Sequence, residues 1–100
     1  MSKVLSPIPP GEILLEEFMR PLGVSQNKLA RDLDVPVARI NDIIHAKRGI
    51  SADTALRLAA YFETSAEFWL NLQIRYDLKI AATTIGEKVK RAVRPHRSAA

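Results

Sequence analysis

Apolar side chains recur along this chain mostly at intervals of three and four, the spacing that lines one face of an α-helix. Each interruption of that rhythm carries the chemistry of a helix end. From about Gly11 to Arg20, Leu14, Leu15 and Phe18 point inward and Glu12, Glu16 and Glu17 outward. Pro10 suits the first turn of this helix, and Pro21 and Gly23 are expected to stop it. Ser25 is an N-cap for a second helix that ends near Leu33. A third runs from about Pro36 to Ala46, and Lys47-Arg48-Gly49 closes it as a basic loop. Ser51 caps a fourth helix with the stripe Ala55, Leu58, Ala59 and Phe62, and Asp53 is well placed for its dipole. Glu63-Thr64-Ser65 is the next break, and Ser65 caps a fifth helix from Ala66 to about Ile80. Ile85, Val89 and Val93 are spaced for one more short helix before Pro95. No stretch reads as a strand, so the expected class is all-α. The expected division is an extended leader over 1–9, a helical domain over 10–80 and a basic tail over 81–100.

The most informative interruption lies in LARDLDVPVARI, Leu29 to Ile40. Leu29, Ala30 and Leu33 form one stripe, and Val37 and Ile40 begin another. Pro36 removes a backbone donor and pushes Val35 out of the α region, so one straight helix is excluded there. The gap is too short for the chain to travel. Two helices therefore meet at a steep angle across a tight turn, which is a helix-turn-helix. Ala30 is small where the two backbones approach. Asp34 occupies the position that wants a positive φ, which glycine takes at least cost and Asp tolerates better than most.

The third helix has an outer face suited to a DNA major groove. At 100° per residue Ala38, Asn41, Asp42 and His45 cluster opposite Val37, Ile40, Ile43 and Ile44, with Arg39 on the flank. Ala38 fits a thymine methyl, Asn41 an adenine, and Arg39 either a guanine or a phosphate. Asp42 is discordant near phosphates unless it accepts from a cytosine amino group. Ser25, Gln26 and Asn27 at the start of the second helix, and Lys47 and Arg48 after the third, are candidate backbone contacts, which position without reading sequence. Val37, at the start of the third helix, completes the candidate DNA-binding set.

Charge alters this picture less than the net +4 implies. Residues 79–100 hold six basic side chains against Glu87, or +5; residues 1–78 hold nine basic against ten acidic, or −1. The basic character thus belongs to the tail, as a solubilising face or an arm along nucleic acid. There is no cysteine, so neither disulfides nor thiolate metal sites are available. No apolar run approaches the roughly 20 residues of a membrane span, and the first residues lack a secretory signal pattern. The expected compartment is the cytoplasm.

The stretches PPGEILLEEFMRPLGVSQNKLARDLDVPVARINDII and KRGISADTALRLAAYFETSAEFWLNLQIRYDL, about Pro9 to Leu78, resemble the XRE-type (lambda-repressor-like) helix-turn-helix proteins. More narrowly they resemble the HigA/VapI-type antitoxins, although members commonly have His before PGE where this chain has Pro9-Pro10. The resemblance implies a five-helix dimer that binds double-stranded operator DNA and represses its own operon. It also implies a partner, a HigB-like toxin of the RelE-type, ribosome-dependent mRNA nucleases. The alternatives are a stand-alone regulator of the same family without a toxin partner and a module that only sequesters protein.

An enzyme is not expected. His45 and His96 are the only histidines, so no catalytic residue, metal site or cofactor is assigned. Adjacent Glu16 and Glu17 diverge by 100° and read as a solvated face, or as a surface for a basic toxin. The fifth helix is apolar on two sides: Phe68, Trp69, Leu72 and Tyr76 on one, Leu70, Ile74 and Leu78 on the other. A domain this small covers only one of them. The aromatic side is expected in the core, leaving Leu70, Ile74 and Leu78 for a second copy in a homodimer unless the tail folds back over them.

Overall fold

The computed structural model describes residues 7–97; the first six residues of the expected leader and the last three of the tail lie outside it. Three successive stretches, Pro10–Ile13, Leu14–Met19 and Arg20–Leu22, run on as one helix, α1. It is followed by α2 (Gln26–Leu33), α3 (Val37–Ile44), α4 (Ala52–Phe62) and α5 (Ala66–Ala92). Among the described residues these five helices are the only regular elements, and there is no strand.

Two helix ends differ from expectation. Pro21 does not stop α1, which continues to Leu22 before Gly23 takes the left-handed conformation at φ 65°. The middle stretch is π-helical, and the Arg20 N–H reaches the Leu15 carbonyl, five residues back. A widened turn relieves the clash that a proline ring makes with the carbonyl four residues earlier, so the chain passes through Pro21 still helical. At the other end α5 does not finish near Ile80, and no separate short helix follows: one helix of 27 residues, about 40 Å, reaches Ala92. Threonine and glycine, both present in the run AATTIG, are weak helix formers. Here the Thr83 and Thr84 hydroxyls donate back to carbonyls of Lys79, Ile80 and Ala81 at 2.8–3.3 Å and stay within the helix.

Leu14, Met19, Leu29, Ala30, Leu33, Ile40, Ile43, Ile50, Ala55, Leu58 and Trp69 form the core. Phe18 packs on Phe62, Phe68 and Trp69 with ring centroids 4.9–5.9 Å apart, tying α1 to α4 and α5. The Trp69 indole N–H donates to Thr64 Oγ1 at 2.8 Å, so the largest buried side chain leaves no donor orphaned. Gly11 is where α1 crosses α3: a Cβ there would lie 2.6 Å from the Ile43 carbonyl carbon and overlap its oxygen. Only glycine permits that approach, and it sets the depth at which α3 sits on the core.

Beyond Lys79 nearly every residue of α5 is exposed, and the helix projects from the body. The radius of gyration is 17.3 Å, against about 13 Å for a compact chain of 100 residues. The described tail residues, 81–97, therefore do not fold back over the second face of α5. Ile74 and Leu78 are 54% and 64% exposed. Leu70 differs from expectation, since it is half-buried and packs against the chain's own core.

Candidate nucleic-acid interface

The turn between α2 and α3 has the geometry its residues demand. Asp34 adopts φ 60°, and the N–H groups of Asp34 and Val35 donate to the Arg31 and Ala30 carbonyls at 3.2 and 3.0 Å. Those bonds satisfy the end of α2. Pro36 then stands extended as the N-cap of α3 and accepts from the Arg39 N–H at 3.0 Å. Ser25 caps α2 by accepting from the Lys28 N–H at 3.1 Å. Gln26 and Asn27 occupy the first turn of α2, where N–H groups lack an intrahelical acceptor.

On α3, Val37, Ala38, Asn41 and His45 are exposed, while Ile40 and Ile43 are buried. Asn41 Nδ2 donates to Gln26 Oε1 at 3.1 Å, so these two carboxamides from α2 and α3 form one unit. The pair leaves the Asn41 side-chain oxygen, Oδ1, as acceptor and the Gln26 side-chain amide as donor, the complement of an adenine edge. His45 ends α3 with its Nδ1–H on the Asn41 backbone carbonyl at 2.9 Å. Asp42 is half-buried, and its carbonyl accepts the N–H groups of Lys47 and Arg48 at 2.8 and 3.2 Å. The connecting residue, Ala46, is left-handed at φ 60°, a strained conformation for alanine that nothing in the sequence signals. Lys47 and Arg48 are exposed.

Three residues are not assigned to this site from the sequence, in which Asp53 is read only as favourable to the dipole of its own helix. Gln73 of α5 accepts the Ile50 N–H at 2.7 Å and lies against Gly49, where a Cβ would come within 3.0 Å of the carboxamide. It holds the loop that carries Lys47 and Arg48. Asp53 and Arg57 of α4 form the second group. Arg57 Nε donates to both Asp53 carboxylate oxygens at 3.2 Å, and its Nη1 reaches the Leu33 and Asp34 carbonyls at 2.8 and 3.4 Å. Arg39 Nη1 completes the chain with a 2.8 Å bond to Asp53 Oδ2. These hydrogen bonds, from Arg57 first and Arg39 second, hold the Asp53 carboxyl below the usual carboxylate range. The i,i+4 spacing of Asp53 and Arg57 is the sequence signal for their pairing; none points to Arg39.

A second carboxylate joins α2 to α4. Asp32 accepts from Lys28 Nζ at 3.0 Å and from the Tyr61 hydroxyl at 2.8 Å. Both bonds hold its carboxyl low, those from Lys28 first. A group with a depressed folded pKa stabilises above its unfolded value, about 3.9, and loses that contribution as pH falls through the folded one. The melting-temperature difference between wild type and Asp32→Asn is thus expected to be constant from pH 7 to about 5 and to shrink toward zero at lower pH. Thermal melts across that range check this, and a difference unchanged down to pH 2 contradicts it.

Two helices joined by a tight left-handed turn, with small and hydrogen-bonding side chains outward on the second, define a helix-turn-helix protein. The chain matches the helix-turn-helix family HTH_3 over residues 15–69 and belongs to it. It is 55% identical over 74 residues to virulence-associated protein I of Dichelobacter nodosus, covering 74% of this chain and 68% of that protein. The solved structure of Pseudomonas aeruginosa antitoxin HigA with the higBA promoter superposes with a TM-score of 0.87 at 46% identity, over 91% of this chain and 99% of that one. Antitoxin GraA in complex with its operator gives a TM-score of 0.88 at 41% identity, over 98% and 99%. The fold is that of the HigA-type antitoxins. No helix among the described residues is long and apolar enough to cross a membrane, and no cluster of potential metal ligands occurs among them.

Proposed function

We propose that this chain is the antitoxin of a toxin–antitoxin pair: it binds operator DNA as a homodimer, represses its own operon and neutralises a HigB-like, mRNA-cleaving toxin. The observation that carries the DNA half of this reading is the single surface formed by Ala38, Arg39 and the Gln26–Asn41 pair, with Lys47 and Arg48 at its edge. Ala38, Arg39, Asn41 and Gln26 read bases; Lys47 and Arg48 take phosphates. Val37, Asp42 and His45 border that surface, and Ser25 and Asn27 flank it at the start of α2. Two structural relatives solved with promoter or operator DNA support the DNA-binding half of the reading.

The dimer rests on α5. Ile74 and Leu78 are exposed, and Ile85 and Val89 continue the same face along the projecting half of the helix. Such a stripe is costly in water and suits burial against a second copy about a twofold axis. A dimer sets two α3 helices about one DNA turn apart, roughly 34–36 Å, on a near-palindromic site. Through avidity it also compensates for a body that carries little net charge.

The toxin half is tested by co-expressing the chain with a HigB-like toxin. Relief of that protein's growth arrest, with a complex recovered intact, is expected. Growth arrest that persists while operator DNA is still bound reassigns the chain as a stand-alone regulator.

A further inference from the structure

Asp53 poses an electrostatic problem that the operator-binding reading leaves unsolved. Its side chain is 55% exposed and touches Arg39, the one cation on the flank of the recognition helix. A carboxylate facing a polyanion repels it, and exposed ion pairs add little to folding stability. If Arg39 served only to attract phosphate, Asp53 would cancel it.

The connectivity indicates what Asp53 does instead. Arg57 grips both carboxylate oxygens and also holds the Leu33 and Asp34 carbonyls of the helix-turn-helix turn. The carboxylate is therefore fixed relative to α2 and α3, not free to swing on its own helix. It then takes a single donor, Nη1, from Arg39 at 2.8 Å. A guanidinium has five N–H donors in a rigid plane, and one bond to a fixed acceptor leaves the others aimed in a set direction. Guanine is read by two parallel donors to O6 and N7, a contact that loses its selectivity if the fork rotates. The partial neutralisation also lowers the competing attraction of the nearest phosphate.

From this arrangement we infer that Asp53, braced by Arg57, is a positioning residue that commits Arg39 to a guanine edge and away from the DNA backbone. The inference rests on the operator-binding reading and deepens it. It makes the α4 pair part of the specificity apparatus, although neither residue lies on the recognition helix. It also separates two effects that are usually lost together: removing the brace lowers discrimination and raises general affinity.

The test uses the full chain and duplexes that the wild type selects from a random-sequence pool. Binding is measured to the selected duplex, to its single-base-pair substitutions and to an unselected duplex, with the fold of each variant checked by thermal melting. Asp53→Asn is expected to lose about ten-fold or more of its discrimination at one G·C pair per half-site and to keep it elsewhere. It should bind the unselected duplex several-fold more tightly, with a salt slope steeper by about 0.9 for each further phosphate neutralised. Arg39→Lys keeps the charge without the fork, and it should lose discrimination at the same pair. A folded Asp53→Asn that binds every duplex more tightly with discrimination intact, or every duplex equally more weakly, ends the inference. If Asp53→Asn does not fold, Arg39→Lys decides alone, and unchanged discrimination at every pair overturns it. A wild type that selects no sequence refutes the operator reading itself, and with it the role of Asp53.

Discussion

Gly11→Ala is expected to destabilise the domain by about 3 kcal/mol or more, at the upper end of what an overpacked interior costs. Alanine normally favours a helix over glycine by about 1 kcal/mol, so propensity alone predicts the opposite sign. Contact decides it. The new methyl would overlap the Ile43 carbonyl, which is backbone and cannot rotate away. To make room α1 must lift from α3, loosening the packing of Leu14, Ile40 and Ile43, all fully buried or nearly so. For a domain of this size the melting temperature should fall by more than about 10 °C. Gly86 supplies the control, since a Cβ there meets nothing nearer than Ala82 Cβ at 4.0 Å. Gly86→Ala should therefore be neutral or stabilising by up to about 1 kcal/mol. Parallel thermal melts of the two variants check both, and equal effects contradict the close approach of α1 to α3.

The second large effect concerns assembly. Ile74→Lys/Leu78→Glu places charges on side chains that are 54% and 64% exposed, so the fold should survive. Sedimentation should show a dimeric wild type at micromolar concentration and a monomeric variant. Affinity for the selected duplex should then fall by about 10²–10⁴, the avidity that linked half-sites supply. Leu70 is a poor position for this test because it packs against the chain's own core, and a charge there would disturb folding as well. A variant that remains dimeric moves the interface elsewhere, and a monomeric variant of unchanged affinity removes the dimer from the mechanism.

Much of the fold is legible in the sequence because its signals are local. Pro36 and Asp34 sit at the break between α2 and α3, and Ser25, Ser51 and Ser65 each accept a bond from the N–H three residues on. The helix ends that differed depend on subtler balances. Pro21 is accommodated by a π-helical stretch, which has no simple sequence signature. The Thr83-Thr84 pair bonds to its own helix instead of ending it. At the site, the outward residues of α3 were legible from helical periodicity. What periodicity cannot supply is pairing between helices. Gln26 meets Asn41 across 15 residues, Arg39 meets Asp53 across 14, and Gln73 holds the Ile50 amide across 23. Each pairing follows from how helices cross, and no spacing rule along one helix encodes it. Leu70 differs for the same reason, since whether one side of α5 is covered depends on what packs beside it.

The most direct measurement of the central claim is selection of duplexes from a random pool by the wild type and by Asn41→Ala, followed by sequencing. The wild type should recover a near-palindrome whose half-sites are centred about 10–10.5 base pairs apart. It should contain an A·T pair in each half-site that Asn41→Ala no longer prefers. A wild-type pool with no common sequence, or an Asn41→Ala pool identical to it at every position, would contradict an operator read by α3.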